Sequence, residues 1–352
     1  VSQLAALAAE LVAIPSPSHE EAALADRVEA MLAEAPHLEL RRIGDNVIAR
    51  TRLGRSGRVL VAGHLDTVRS AAGGPELDAT RLRGLGAADM KGTLAVMLSL
   101  AIELDHPALD LTWLFYAREE VDRAESGLLE VAAVAPELLE ADVAILGEPT
   151  SAAVEAGCQG TLRLEVRLGG VSAHTARPFM GRNAIRRLAL VLAALAEAEP
   201  RSVEIDGVRF VEQLEPVAVS GGSGANVVPD AARLVVNHRF APDRSAEEAE
   251  AWVRSLIEPL LGEPGDAIEL LDAAQGALPA LTDPLLARLV ELSGRPVTAK
   301  VGWTDVASFA ERGVPAANYG AGDPLLAHHP DEEVLVAELE ELAATFRSLF
   351  AN

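Results

Sequence analysis

At 352 residues, 49% of them apolar, the chain is long enough to bury two cores and too apolar to remain disordered. With 53 acidic against 30 basic residues its formal charge is −23, which sets it against nucleic acid and anionic lipid as partners. Its single cysteine, Cys158, excludes an intrachain disulfide and a cysteine-based zinc site, and reads as a small buried residue.

Acid runs such as Glu247-Glu248-Ala249-Glu250 and Glu338-Leu339-Glu340-Glu341 read as solvated helix faces. No basic-then-apolar leader opens the sequence, and no apolar run approaches the roughly 20 residues that span a bilayer. A cytoplasmic protein with no membrane partner is therefore expected.

Leu4, Leu7 and Leu11 share one face of a first helix. Past Ile14-Pro15-Ser16-Pro17-Ser18, Ser18 or the following turn is placed to cap a second helix carrying Leu24, Val28 and Leu32. The short apolar run Val59-Leu60-Val61-Ala62-Gly63 predicts a buried parallel strand. Helices over 91–104 and 127–134 alternate with strands over 111–117 and 142–146. That alternation predicts an α/β sandwich around a mostly parallel sheet.

The period changes near Gly160, where Leu162, Leu164, Val166 and Leu168 alternate with polar residues as in a sheet with one wet face. A helix over 183–198 follows, then strands near 203–211, 217–220 and 232–240. A helix capped by Ser245 and running to Leu261 precedes a strand over 267–271. Two helices on one face of a small antiparallel sheet make an inserted α+β domain. From about Leu278 the α/β character returns, with a strand at Ala316-Ala317-Asn318-Tyr319 and a closing helix over 334–350. The expected domains are 1–160 together with 275–352, and 161–274 inserted between them.

Five acid or histidine clusters fall where a strand ends or a loop begins, the place where open α/β sheets bind ligands. His64-Leu65-Asp66 follows the strand ending at Gly63. Imidazole is a common metal ligand, and a carboxylate two residues on can hold its other ring nitrogen. Gly84-Leu85-Gly86-Ala87-Ala88-Asp89-Met90-Lys91-Gly92 is no phosphate loop, because Lys91 precedes Gly92 and no Gly-Lys-Ser/Thr occurs. Asp89 at the mouth of a helix suits a bridging carboxylate instead.

Glu119-Glu120 ends a buried strand, where two like charges repel unless a cation or a shared proton intervenes. One can bind metal while the other serves as general base. Glu148, in Gly147-Glu148-Pro149-Thr150, is a strand-end carboxylate for which a metal partner offsets the cost of burial. One imidazole of His328-His329-Pro330-Asp331-Glu332 could complete the set. Such residues suffice for a pair of zinc ions roughly 3.5–4 Å apart, bridged by a carboxylate and a water.

In their order these motifs resemble the family of zinc-dependent aminoacylases and carboxypeptidases that includes succinyl-diaminopimelate desuccinylase, acetylornithine deacetylase and glutamate carboxypeptidase. The resemblance runs over nearly the whole chain. It implies that His64 ligates a first zinc, that Asp66 orients it, that Asp89 bridges, and that the peptide after Asp89 is cis. It further implies Glu119 as general base, Glu120 as ligand of the second zinc, and Glu148 as completing the first. His328 matches the family's His-x-x-x-Glu pattern as the last ligand, with His329 as its rival. Two zinc ions are the implied cofactors, with cobalt a substitute.

The same resemblance makes the inserted domain a two-layer, ferredoxin-like lid that dimerises through its sheet and helix. Ser172-Ala173-His174-Thr175-Ala176-Arg177-Pro178 is similar to the lid's histidine motif, so His174 is implied to reach the site of a partner copy and steady the oxyanion. The Arg177-Pro178-Phe179 that follows departs from the pattern. Segments 145–150, 154–161, 226–230, 302–307 and 319–324 resemble desuccinylases of the actinobacterial kind. They imply that Asn226 and Arg239 contact substrate carboxylate or the tetrahedral intermediate, and that Gly320 and Gly322 let backbone amides approach it.

The expected activity is hydrolysis of a linear amide in a small N-acyl amino acid, with N-succinyl-diaminopimelate foremost. Acetylornithine deacetylase or a dipeptidase would use the same metal set, and a metal-free binding or scaffold protein would keep the fold alone. His19, His37, His106 and His238 read as structural or surface residues, and Trp303 and Phe309 as packing.

Overall fold

The runs read as buried parallel strands lie side by side. In the computed structural model, which describes residues 2–70 and 74–351, Arg58–His64 pairs in parallel with Asp110–Tyr116 on one side and Val143–Leu146 on the other. Val143–Leu146 in turn pairs in parallel with Ala316–Asn318. These four strands are the centre of an eight-stranded sheet. Asn46–Arg50 and Glu39–Ile43 extend it antiparallel beyond Asp110–Tyr116, and Glu155–Cys158 and Thr298–Lys300 extend it at the other end.

Every residue of Asp110–Tyr116 is buried, and the run Trp113-Leu114-Phe115-Tyr116 is apolar without alternation, as in a strand covered on both faces. The helices Gln3–Val12, Ala22–Leu32, Gly92–Glu103 and Val336–Phe350 pack their apolar residues into one core with this sheet. Gly92–Glu103 is buried almost all round, as its nearly unbroken apolar sequence requires. This core belongs to a unit made of Val1–Ala156, Ala280–Thr298 and Ser308–Asn352.

The second unit comprises Gly157–Pro279 and Ala299–Ala307. Its antiparallel sheet has the order Gln213–Gly221, Ala231–Phe240, Gly160–Gly169, Ala267–Ala274. Leu162, Leu164, Val166 and Leu168 point to one face with Leu234 and Val236, against Leu188, Val191 and Leu195 of helix Ala184–Ala196 and Val253 and Ile257 of helix Ala246–Ile257. Ser245 caps the latter helix in a reciprocal box with Glu248.

Two local expectations are corrected. Ser18 does not cap the second helix: Glu21 is at the cap position without a side-chain bond, and the Ser18 hydroxyl donates to Asp66 instead. The strand expected near 203–211 is a hairpin of Ser202–Ile205 and Val208–Val211, turned by Asp206 and Gly207, both at positive φ. Asp-Gly between alternating apolar residues is the usual signal for such a turn. Among the described residues no helix is long and apolar enough to cross a membrane.

Candidate metal centre

Three of the four parallel strands deliver an acid or histidine at their carboxyl ends. His64 is the last residue of its strand, Glu119 and Glu120 come just after Tyr116, and Glu148 comes just after Leu146. Asp89 stands in the turn before helix Gly92–Glu103, at φ −120° and ψ 88°, and the Asp89–Met90 peptide is cis. His328, at φ 63°, arrives from the C-terminal segment.

These side chains converge. His64 Nε2 is 3.0 Å from Asp89 Oδ1, while His328 Nε2 is 3.4 Å from Asp89 Oδ2 and 2.7 Å from Glu120 Oε1. Three groups have donor atoms within 4.8 Å of one another: His64, Asp89 and Glu148; Asp89, Glu120 and His328; and His64, Glu119 and Glu120. Asp89 thus turns one oxygen to each histidine, the arrangement a bridging carboxylate needs. His329 turns away and accepts the Asp331 amide on Nδ1 at 3.1 Å.

The clustered imidazoles and carboxylates shift one another strongly. Burial alone would push His64 down, but Asp89, Glu119 and Asp66 outweigh it and hold the imidazole well above its ordinary value. Burial would likewise raise Asp89, yet hydrogen bonds with His328 and His64 hold it well below. Hydrogen bonds with Asp89 and Glu120 push His328 up to about 10. So dense a set of carboxylates around two imidazoles is the electrostatic setting that favours a bound cation. The donor set, two imidazoles and several carboxylates with no sulfur, fits divalent zinc.

Beneath the donors, fully buried Asp66 seats the Glu119-Glu120 turn. Its Oδ1 accepts the Glu119 amide at 2.9 Å, and its Oδ2 accepts the Glu120 amide at 3.0 Å and the Ser18 hydroxyl at 2.8 Å. This differs from the expectation that the Asp66 carboxylate holds His64. His64 Nδ1 instead meets the Asp66 backbone carbonyl at 3.0 Å, with the carboxylate 3.6 Å away, because the two amides and the hydroxyl claim it. Buried Glu21 accepts the preceding amide, of Arg118, at 3.1 Å, and Arg118 takes a left-handed φ of 60°. Ser18→Ala is expected to cost about 1.5–3 kcal/mol, the range for a hydrogen bond to a charged group. Urea unfolding at an unchanged midpoint would rule out this bracing role.

Residues 60–352 match Peptidase family M20/M25/M40. The chain belongs to this family.

It is 51% identical over 335 residues to "Putative succinyl-diaminopimelate desuccinylase" of Mycobacterium tuberculosis, covering 95% of this chain and 94% of that one. It is 41% identical over 356 residues to succinyl-diaminopimelate desuccinylase of Corynebacterium glutamicum, covering 98% and 95%. Among solved structures it resembles aminopeptidase PepT from Bacillus cereus, with a TM-score of 0.81 at 18% identity over 99% of this chain and 97% of the other. An M20 family metallo-carboxypeptidase from Sulfolobus solfataricus gives 0.79 at 15% identity over 100% and 99%. At such identities the structures speak for the fold alone. The chain is accordingly an M20-family hydrolase.

The remaining residues singled out in this M20 chain are placed differently. The Gly320 amide donates to Thr150 Oγ1 at 3.1 Å and the Gly322 amide to Glu338 Oε2 at 2.8 Å, so both amides expected to meet a substrate are engaged within the chain. The two glycines serve close approach. A Cβ on Gly320 would lie 2.3 Å from the Gly147 carbonyl oxygen, and one on Gly322 would lie 2.7 Å from Ala88 Cβ.

His174, Asn226 and Arg239 belong to the second unit. His174 is exposed, and its Nδ1 accepts the Ala176 amide at 3.0 Å. Asn226 is exposed, and its carbonyl accepts the Thr175 amide. The partly buried Arg239 guanidinium has no hydrogen bond or ion pair among the described residues, and burial lowers its pKa.

Sequence reasoning assigned no role in the site to Ser18, Glu21 or Glu332. The first two act across about fifty or more residues of chain, and nothing local marks them. Glu332 was visible only as the last letter of the His-x-x-x-Glu pattern.

Proposed function

We propose that this chain is a two-zinc amide hydrolase that converts N-succinyl-LL-2,6-diaminopimelate and water to succinate and LL-2,6-diaminopimelate. The observation that carries the chemistry is Asp89, with one oxygen facing His64 and the other facing His328 inside a single cluster of carboxylates. The substrate assignment rests on the desuccinylase names of relatives 51% and 41% identical over nearly their full length. A cytoplasmic setting is part of this reading.

His64, Asp89 and Glu148 would hold one ion, and Asp89, Glu120 and His328 the other. When bound, the ions would supply Lewis-acid polarisation of the amide carbonyl and an acidified water. Glu119, its backbone seated on Asp66, would be the base that accepts a proton from the attacking water and gives it to the leaving amine.

His174 is assigned to the oxyanion of a second copy's substrate. With Nδ1 accepting the Ala176 amide, the neutral ring carries its proton on Nε2 and can donate it. Arg239 and Asn226 are assigned to substrate carboxylate, for which an unpaired, partly buried guanidinium is suited. Dimerisation through the second unit is supported by the edge strand Gln213–Gly221, along which Val217 and Val219 are 56% and 57% exposed.

Because His328 is pushed up to about 10 in the metal-free site, it carries a proton at pH 7.5 that must leave when a metal takes its nitrogen. Zinc uptake is expected to release protons there, read with an indicator dye in weak buffer. Uptake without proton release would contradict the assignment of His328.

The proposal as a whole is tested by presenting N-succinyl-diaminopimelate, N-acetylornithine and a dipeptide to the zinc-loaded enzyme. Clear preference for the succinyl substrate is expected. Preference for another amide would move the substrate and keep the chemistry, while no cleavage despite bound zinc would overturn the reading.

A further inference from the structure

We propose that Glu332 is a positioning residue that holds the Asp89 turn and His328 in register with each other. Its carboxylate is 2% exposed and both oxygens are engaged. Oε2 accepts the Gly86 amide at 3.0 Å, and Oε1 accepts the Ala88 and Asp89 amides at 2.9 Å each. The Glu332 carbonyl also accepts the Gly84 amide at 3.0 Å. One residue therefore gathers four amides of the segment that ends in the bridging carboxylate.

The local geometry is built for this. Gly86 adopts a left-handed φ of 80°, which turns its neighbours' amides into a concave nest suited to an anion. A side chain there would strike Thr67, with a Cβ 2.7 Å from Thr67 Cγ2. The buried Lys91 ammonium donates to the Ile14 carbonyl at 2.7 Å.

Four residues upstream, His328 reaches Asp89 and Glu120 by its side chain. The turn between is rigid: the Glu332 amide donates to the His329 carbonyl at 3.1 Å, and the Asp331 amide to His329 Nδ1 at 3.1 Å. The five-residue segment thus grips Asp89 twice, by its amide through Glu332 and by its carboxylate through His328. Moving Glu332 moves both donors relative to each other.

The inference rests on the two-ion reading of the site, and the experiment keeps the two apart. Glu332→Gln replaces one accepting oxygen with an NH2 that must face an amide N–H, and Glu332→Asp withdraws both oxygens by a methylene. Zinc affinity is measured by chelator competition well below the melting temperature, with the visible spectrum at saturating cobalt and the kcat and KM for N-succinyl-diaminopimelate. Each variant is expected to lose about 10–100-fold in zinc affinity or turnover, as outer partners of metal ligands typically do, with KM little changed and an altered cobalt spectrum.

Glu333→Gln, which removes only ion pairs to Arg81 and Arg83, is the control and is expected to match the wild type. A residue that merely stabilises the fold would lower the melting temperature and leave the affinity and spectrum of the folded protein unchanged. That result in either folded variant, or an equal loss in the control, would overturn the inference. Should Glu332→Gln not fold, Glu332→Asp decides by the same readouts. A wild-type protein that binds no zinc pair would instead sink the two-ion reading itself.

Discussion

Glu119→Gln is expected to retain both metal ions and to lower kcat by about 10²–10⁴-fold, the usual contribution of a positioned general base. The backbone at 119 is fixed by its amide bond to Asp66, so the substitution keeps the side chain's size and place and removes only its ability to take a proton. The measurement is metal content beside steady-state turnover. Glu119 also lies within ligand range of His64 and Glu120, and this makes the metal content decisive. Loss of an ion would make Glu119 a ligand, and near-normal turnover would place the base elsewhere.

Asp89→Ala is expected to weaken binding at both ion sites together and to abolish turnover. Its two oxygens face different histidines, His64 at 3.0 Å and His328 at 3.4 Å, so its loss removes a donor from both groups that contain it. The loss in zinc affinity should exceed the roughly 10–100-fold typical of losing an outer partner, because a shared inner ligand disappears and carboxylate repulsion does not replace it. Titration with a zinc-responsive chelator reads both sites. A variant that still holds one ion as tightly as the wild type would show that Asp89 does not bridge.

What was legible in the sequence follows from period and position. Val59–Gly63 and its parallel neighbours are continuous apolar runs because both sheet faces are covered, and short apolar runs bounded by loops carry that information locally. His64, Glu119, Glu120 and Glu148 were legible because they stand at or soon after the ends of such strands, whereas Asp89 and His328 were legible from their motifs alone. The hairpin Glu39–Ile43 with Asn46–Arg50 was not: Glu39, Arg41 and Arg42 mask the edge strand, and tertiary pairing overrides its weak local preference.

The bracing of the site was least legible. Glu21 and Glu332 accept backbone amides, and Ser18 donates to a carboxylate, far away in the chain, and no local pattern records which partner each will meet. Asp66 shows the same limit from the other side. Its spacing from His64 suggested that its carboxylate holds the imidazole, whereas the fold brings the amides of Glu119 and Glu120 to that carboxylate and leaves the imidazole to the carbonyl. Gly320 and Gly322 were read as letting backbone amides approach a substrate, and which partners their own amides meet, Thr150 and Glu338, is set by distant parts of the chain.

The most direct test of a two-ion hydrolase is to strip the protein with chelator and titrate zinc back while following cleavage of N-succinyl-diaminopimelate. No hydrolysis is expected from the stripped protein, with activity returning on zinc addition and binding saturating at two ions per chain. Hydrolysis that persists without metal, or saturation at a single ion, would contradict the account.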